Sequence, residues 1–274
     1  MIVNTTEKVL GRVILIVALI LTLLPLLSML SAALQPPGVI PVGFSWPSDP
    51  HWSNFVTAFQ QGNVWVLLGS SLLIVVGVVP ICLIIATMAG FALGNLRIKG
   101  GRFAFLLLVF GLTIPFESIV IPLYYQITSY GLINTQWAII LPLIGLYMPF
   151  SVVWMRAHFL GVPQELSEAA RVDGAGTWQE LRRIQLPLAS PALSALGILL
   201  FLWTWNQFLL PLVLVDDPNK RTVAGALGTF QGQYINDLPL LFAAALIVML
   251  PTIIVYVIFQ RQFIKALLQG AVKG

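Results

Sequence analysis

The chain has 274 residues, 58% of them hydrophobic and only 9% charged, with a mean hydropathy of +0.94. A soluble domain usually carries about 25% charged residues, so this composition excludes a water-soluble globular protein and points to a polytopic membrane protein. The sequence pI is near 9.4 but the net charge is only +4, and the basic residues lie in short loops beside apolar segments. That is a pattern of membrane orientation, and it excludes a nucleic-acid reading.

A spanning helix needs roughly 20 apolar residues. Six stretches meet this, at about 12–34, 66–94, 103–127, 137–157, 189–214 and 240–260. They predict an all-α integral membrane protein with six transmembrane helices in one transmembrane domain over 1–274. Before the first, Lys8 and Arg12 precede an apolar run, and Ser31-Ala32-Ala33 resembles a signal-cleavage site. The run from Val13 to Leu30 exceeds the roughly 7–15 residues of a signal core, so it reads as a retained helix.

Residues 35–65 follow, rich in proline and tryptophan, with Trp46, Trp52 and Trp65 suited to the interfacial belt. Cys82, the one cysteine, lies in the second span and reads as a small buried hydrophobe. Eight prolines fall inside the spans: Pro25, Pro80, Pro115, Pro122, Pro142, Pro149, Pro211 and Pro251. Each removes a backbone donor, and together they predict bent helices around a cavity.

Glu117 is the one charged side chain placed deep in a predicted span. A bare carboxylate there is costly, so it is expected to face a cavity, a partner helix or the watered end of its helix. Thr113, Ser118, Tyr124, Gln126, Tyr147 and Ser151 offer a neutral, weakly polar pathway that fits a neutral hydroxylated solute. In the fifth span Trp203, Thr204, Trp205, Asn206 and Gln207 stand in a row. Aromatic faces and amides suit sugar rings, but five successive residues point all round a helix and cannot share one cavity. Asn206 and Gln207 also suit helix–helix hydrogen bonds.

The loop charges set an orientation. Twelve of the 14 basic residues fall on one side, and only Lys220 and Arg221 on the other. The positive-inside rule makes both termini cytoplasmic, together with the polar segment 163–187. That segment reads as a helical hairpin. Pro163 suits a first helical turn, with Glu165 and Glu168 near its positive end. Gly174 suits a left-handed C-terminal cap. Thr177 and Glu180 have capping-box spacing for a second helix, Arg182 and Arg183 complement its end, and Pro187 leads into the fifth span.

Glu168-Ala169-Ala170, three residues, Gly174, nine residues, then Ile184, Leu186 and Pro187 match every fixed position of E-A-A-x3-G-x9-I-x-L-P. This resembles the EAA loop of ABC importer permeases. Within them the chain is similar to the carbohydrate-uptake permeases of the maltose type over nearly its whole length. Supporting stretches are Ile121-Pro122-Leu123-Tyr124, Gly131 to Thr135, Trp205 to Leu212 and the tail Gly270 to Gly274.

The resemblance implies a type I ABC importer fold and a carbohydrate substrate. It implies a cytoplasmic ATP-binding cassette ATPase dimer that uses ATP and Mg, a second homologous permease and an extracytoplasmic solute-binding protein. It implies that Glu168, Ala169, Ala170, Gly174, Ile184, Leu186 and Pro187 couple to the ATPase, and that the tail with Val272, Lys273 and Gly274 reaches its interface. Pathway candidates are Glu117, Tyr124, Trp205, Asn206 and Gln207. The expected location is a prokaryotic cell membrane, with lipid around the spans. Glycerol phosphate esters, amino sugars or polyols are alternative cargoes, and an ion-coupled secondary transporter is a remote alternative.

No G-x-x-x-x-G-K-[ST] or G-x-S-x-G run occurs, and His51 and His158 are far apart. The chain is therefore expected to be no enzyme and to hold no metal or cofactor of its own.

Overall fold

The computed structural model of the chain describes residues 5–96, 98–226 and 237–271, with side chains from 8 to 261 within that range. The described residues form helices and turns, with no strand among them. They fall into two compact units. One holds α1 (Thr5–Ala33), α2 (Ser53–Gln61) and the first part of α12 (Leu238–Ala271), up to Leu250. The other holds residues 66–226 and α12 from Pro251.

In the first unit, α1 is apolar all round and buries no residue between Lys8 and Leu30. A helix of that kind meets lipid or another subunit. Its last turn carries the segment that follows. Asn54 Nδ2 donates to the Ala33 and Gln35 carbonyls at 2.8 Å each, and Ser31 Oγ donates to the Ser45 carbonyl. The proline- and tryptophan-rich stretch 35–65 contains α2. This helix is amphipathic and nine residues long, too short to register as a span.

In the second unit, α3 (Val64–Asn95) and α6 (Trp137–Leu160) pack through glycines. Lipid tails are as apolar as leucine, so helices associate in a membrane by close packing, not by area burial. A Cβ on Gly77 would lie 2.8 Å from Ile140 Cδ1, one on Gly90 2.7 Å from Met155 Cβ, and one on Gly94 3.3 Å from Phe159 Cβ. Gly90 and Gly94 have G-x-x-x-G spacing. Arg156 is held at the same level, its Nε donating to the Leu93 carbonyl at 3.2 Å and its guanidinium lying 4.0 Å from the Phe105 ring centroid.

Among the described residues, four uninterrupted helices are long and apolar enough to cross a membrane: Lys8–Ala33, Val64–Asn95, Trp137–Leu160 and Leu238–Arg261. Two bent pairs raise the number to six if each is one span. The predicted third span divides into α4 (Gly101–Gly111) and α5 (Phe116–Ser129), bent by 100°. Pro115 caps α5 in an extended conformation and cannot continue the hydrogen-bond ladder. Thr113 Oγ1 and Ser118 Oγ donate to the carbonyls of Phe110 and Pro115 around the bend.

The other bent pair is Thr177–Leu188 with Ser190–Trp205, at 74°, and the predicted fifth span itself divides into α10 (Ser190–Trp205) and α11 (Leu209–Leu214). Pro211 has no N–H for the Gln207 carbonyl four residues back. Thr222 Oγ1 donates to that carbonyl instead, at 2.6 Å. Finally, α12 continues as helix to Ala271, eleven residues past the expected end of its span.

Candidate functional site

The hairpin begins on Pro163, whose extended ψ of 130° places it just before α7 (Gln164–Val172). Its end is a Schellman motif. The Ala175 N–H donates to the Ala170 carbonyl at 2.9 Å and the Gly174 N–H to the Arg171 carbonyl at 3.1 Å. Gly174 sits at φ +78°, as the cap requires.

The expected capping box of Thr177 and Glu180 is corrected by the structure. Gly176 is the N-cap of α8 (Thr177–Glu180), and Gln179 Oε1 accepts from the Gly176 N–H at 3.1 Å. Thr177 already lies in the first turn, one position too late to cap. Glu180 turns inward, 1% exposed, and its Oε2 lies 3.6 Å from Arg171 Nε. A π turn, Leu181–Gln185, follows and leads into α9 (Leu186–Leu188), with the Leu186 N–H donating to the Leu181 carbonyl five residues back. Pro187 cannot donate to Arg183, and the ladder widens just before it.

Two faces result. Inward go Ser167, Ala170, Glu180, Leu181 and Gln185, all buried. Outward go Glu168, Ala169, Val172, Gly174 and Trp178, all exposed. Ile184 is half-buried, and Leu186 and Pro187 are exposed where the chain turns by 74° at Ala189 into α10.

A second grouping lies between α6 and α10. Trp203 packs its ring 5.6 Å from Tyr147 and 4.9 Å from Phe150, and Phe150 lies 5.9 Å from Trp154. Tyr147, Phe150 and Trp154 are one helical turn apart and share a face. The Tyr147 hydroxyl faces Gln207 and Thr204. Trp154 Nε1 donates to the Ala192 carbonyl at 3.1 Å, which fixes the seam.

Of the five residues in a row, Trp203 is 38% exposed and Asn206 is exposed, whereas Thr204 and Trp205 are buried. Trp205 stacks on Phe201 at 5.5 Å, 4% exposed, so Trp203 takes the open aromatic position. Asn206 Nδ2 donates to the Leu202 carbonyl at 2.8 Å and closes the end of α10. Tyr124 and Glu117 are exposed on α5. Glu117 is in the first turn of that helix, beside the bend, where the positive helix end favours a carboxylate, rather than deep in an unbroken span. The structure does not bring Glu117 or Tyr124 into the Trp203 seam. Val272, Lys273 and Gly274 lie outside the described residues.

A third feature is a polar cap where the 130–136 turn meets residues 214–222. Asn134 sits at φ +62°, its N–H donating to the Leu214 carbonyl at 3.0 Å and its Oδ1 accepting from the Asp217 N–H at 2.9 Å. Lys220 Nζ donates to the Asn134 carbonyl at 3.2 Å. The Val223 N–H donates to the buried Ser71 Oγ at 2.7 Å and pins the segment to α3. Ser167, Gln185 and Thr222 carry no signal in the sequence, and Asn134 stands out there only within the Gly131–Thr135 stretch. A signal existed for the α3 packing face in Gly90-x-x-x-Gly94, and for Asn134 in its place beside Gly131 in a turn.

These features define a helical multi-pass membrane protein with a polar hairpin interrupting its apolar segments. Residues 86–269 match the family model described as binding-protein-dependent transport system inner membrane component. The chain belongs to that family, and it serves as the permease part of an ABC importer. It is 37% identical to the arabinooligosaccharides transport system permease protein AraQ of Halalkalibacterium halodurans, over 83% of this chain and 81% of that one. It is 29% identical to the diacetylchitobiose uptake system permease protein NgcG of Streptomyces coelicolor, over 92% of this chain and 84% of that one. Its fold is similar to a chain in the crystal structure of a bacterial ABC transporter involved in the import of the acidic polysaccharide alginate. There the TM-score is 0.77 with 23% identity, covering 95% of this chain and 98% of that one.

Proposed function

We propose that the chain forms half of the membrane pathway of an ATP-driven importer for a sugar or sugar derivative. On this reading the whole chain is one permease domain with six spans, the third made of α4 and α5 and the fifth of α10 and α11, and both termini are cytoplasmic. A second homologous permease completes the pathway. A separate cytoplasmic ATPase dimer uses ATP and Mg, and this chain carries no cofactor. An extracytoplasmic solute-binding protein docks on the 35–65 and 215–239 segments.

The observation that carries the coupling role is the outward face of the hairpin. Glu168, Ala169 and Gly174 lie exposed on an element that turns directly into α10. A carboxylate flanked by small residues suits close insertion into a cleft on another protein. Movement of the hairpin would tilt α10 through Leu186 and Pro187. For the cargo, the Trp203 ring with Tyr147 and Gln207 supplies a stacking surface and hydrogen-bonding groups, and none of the three is charged. The relatives named for arabinooligosaccharides and diacetylchitobiose support the same class.

Uptake of labelled solutes by cells with and without this chain tests the reading. Loss of uptake of an oligosaccharide or other sugar is expected. Loss confined to glycerol phosphate esters or polyols would replace the cargo. Uptake that follows an ion gradient instead of ATP would contradict the importer class.

A further inference from the structure

Ser167 and Gln185 stand on the two arms of the hairpin and face each other. Gln185 Nε2 donates to Ser167 Oγ at 3.0 Å, and both side chains are buried. One turn nearer the elbow, Arg171 and the buried Glu180 form the second crossing. The elbow itself is exposed and holds its shape through its own backbone caps. A Cβ on Gly174 or Gly176 would meet no atom within 4 Å, and residues 171–179 are exposed apart from the half-buried Ala175.

This arrangement is held at a cost. Glu180 Oε1 and Gln185 Oε1 are buried without a hydrogen-bond partner. A leucine at 185 would fill similar space with no acceptor to satisfy. Buried polar groups kept against stability are best understood as fixing one geometry.

We propose that Ser167–Gln185 and Arg171–Glu180 form a clasp that makes the hairpin one stiff lever. Load applied to Glu168 passes through its neighbour Ser167 to Gln185, and from there into Leu186 and Pro187 at the base of α10. The capped Gly174 elbow sets the angle at which the two arms meet this clasp. All four act as positioning residues, through each other and the base of α10. The inference rests on the reading of the hairpin as the ATPase contact.

Nitroxide labels on Glu165→Cys and Arg182→Cys, in a Cys82→Ala background, report the separation of the two arms by pulsed electron–electron resonance. The measurement is made on the full chain alone in detergent, and on the complex recovered with it before and after trapping with ATP and vanadate. With the clasp intact, one narrow distance is expected, unchanged by trapping. Ser167→Ala with Gln185→Leu is expected to broaden it in the chain alone and to let it shift on trapping, with the ATPase still recovered. Ser167→Thr with Gln185 kept, which retains the hydroxyl that Gln185 donates to, should keep the narrow distance. Glu180→Gln, which keeps shape and removes charge, is the milder second variant and should broaden the distribution in part. A narrow, unshifted distance in both the double variant and Glu180→Gln would overturn the clasp. So would a wild-type distance that moves on trapping. If no ATPase accompanies the wild-type chain, the coupling reading fails instead, and the distances in the chain alone still decide the clasp.

Discussion

Gly90 of α3 and Met155 of α6 meet backbone to backbone. A Cβ added to Gly90 would stand 2.7 Å from Met155 Cβ and 2.9 Å from the Arg156 nitrogen. Neither neighbour is the far end of a flexible side chain, so the helices themselves must part. Gly90→Ala should therefore destabilise the chain by about 1–3 kcal/mol, the usual cost of overpacking. Gly69→Ala, with nothing within 4 Å, should be close to neutral. Thermal unfolding in one detergent compares the two.

The elbow predicts a separation of assembly from activity. Gly174→Ala meets no clash but must hold φ +78°, at about 1–2 kcal/mol for an L-residue. Gly174→Pro cannot adopt that angle and also loses the N–H given to Arg171. The expected outcome for the proline is normal membrane content with solute uptake abolished, read by quantitative blot beside uptake. Normal uptake in Gly174→Pro would count heavily against the hairpin as coupler.

The two neighbouring tryptophans should behave differently. Trp203→Ala removes an exposed aromatic face and leaves the core, so apparent affinity for solute should fall while protein amount holds. Trp205→Ala empties a buried site against Phe201, at about 3–5 kcal/mol, so protein amount should fall first. Uptake kinetics normalised to membrane content distinguish them.

Asn134 organises the turn at its end of α6. Asn134→Ala loses the Oδ1 acceptor and must still hold φ +62°. Amide hydrogen exchange at Asp217 should speed up markedly. Asn134→Asp keeps an acceptor and should leave exchange near its original rate.

The sequence carried some of this architecture and not the rest, for physical reasons. The all-helical, apolar character of the chain was legible because membrane helices must satisfy their backbone internally and stay apolar for some 20 residues. Gly174 was legible because a helix that stops on glycine needs its left-handed cap. The breaks near Pro115 and Pro211 were only half legible. Pro25, Pro80, Pro122, Pro142, Pro149 and Pro251 all lie inside continuous helices. What separates Pro211 from them is Thr222, eleven residues on, which takes the orphaned Gln207 carbonyl. The choice between Trp203 and Trp205 was equally hidden. It depends on Phe201 below one indole and on Tyr147 and Phe150, from another helix, beside the other. In the hairpin, Glu168 and Gly174 were readable as a pattern. Ser167 and Gln185 were not, since a serine–glutamine pair has no signature until the arms meet.

The most direct test is to tag this chain, extract it in mild detergent and identify what accompanies it by mass spectrometry, beside Glu168→Lys. The account predicts that the wild-type chain brings an ATPase and a second permease, and that reversing the charge of the exposed Glu168 loses the ATPase but keeps the permease. Recovery of the ATPase undiminished with Glu168→Lys, or its absence from the wild-type chain, would contradict the hairpin as the site of coupling.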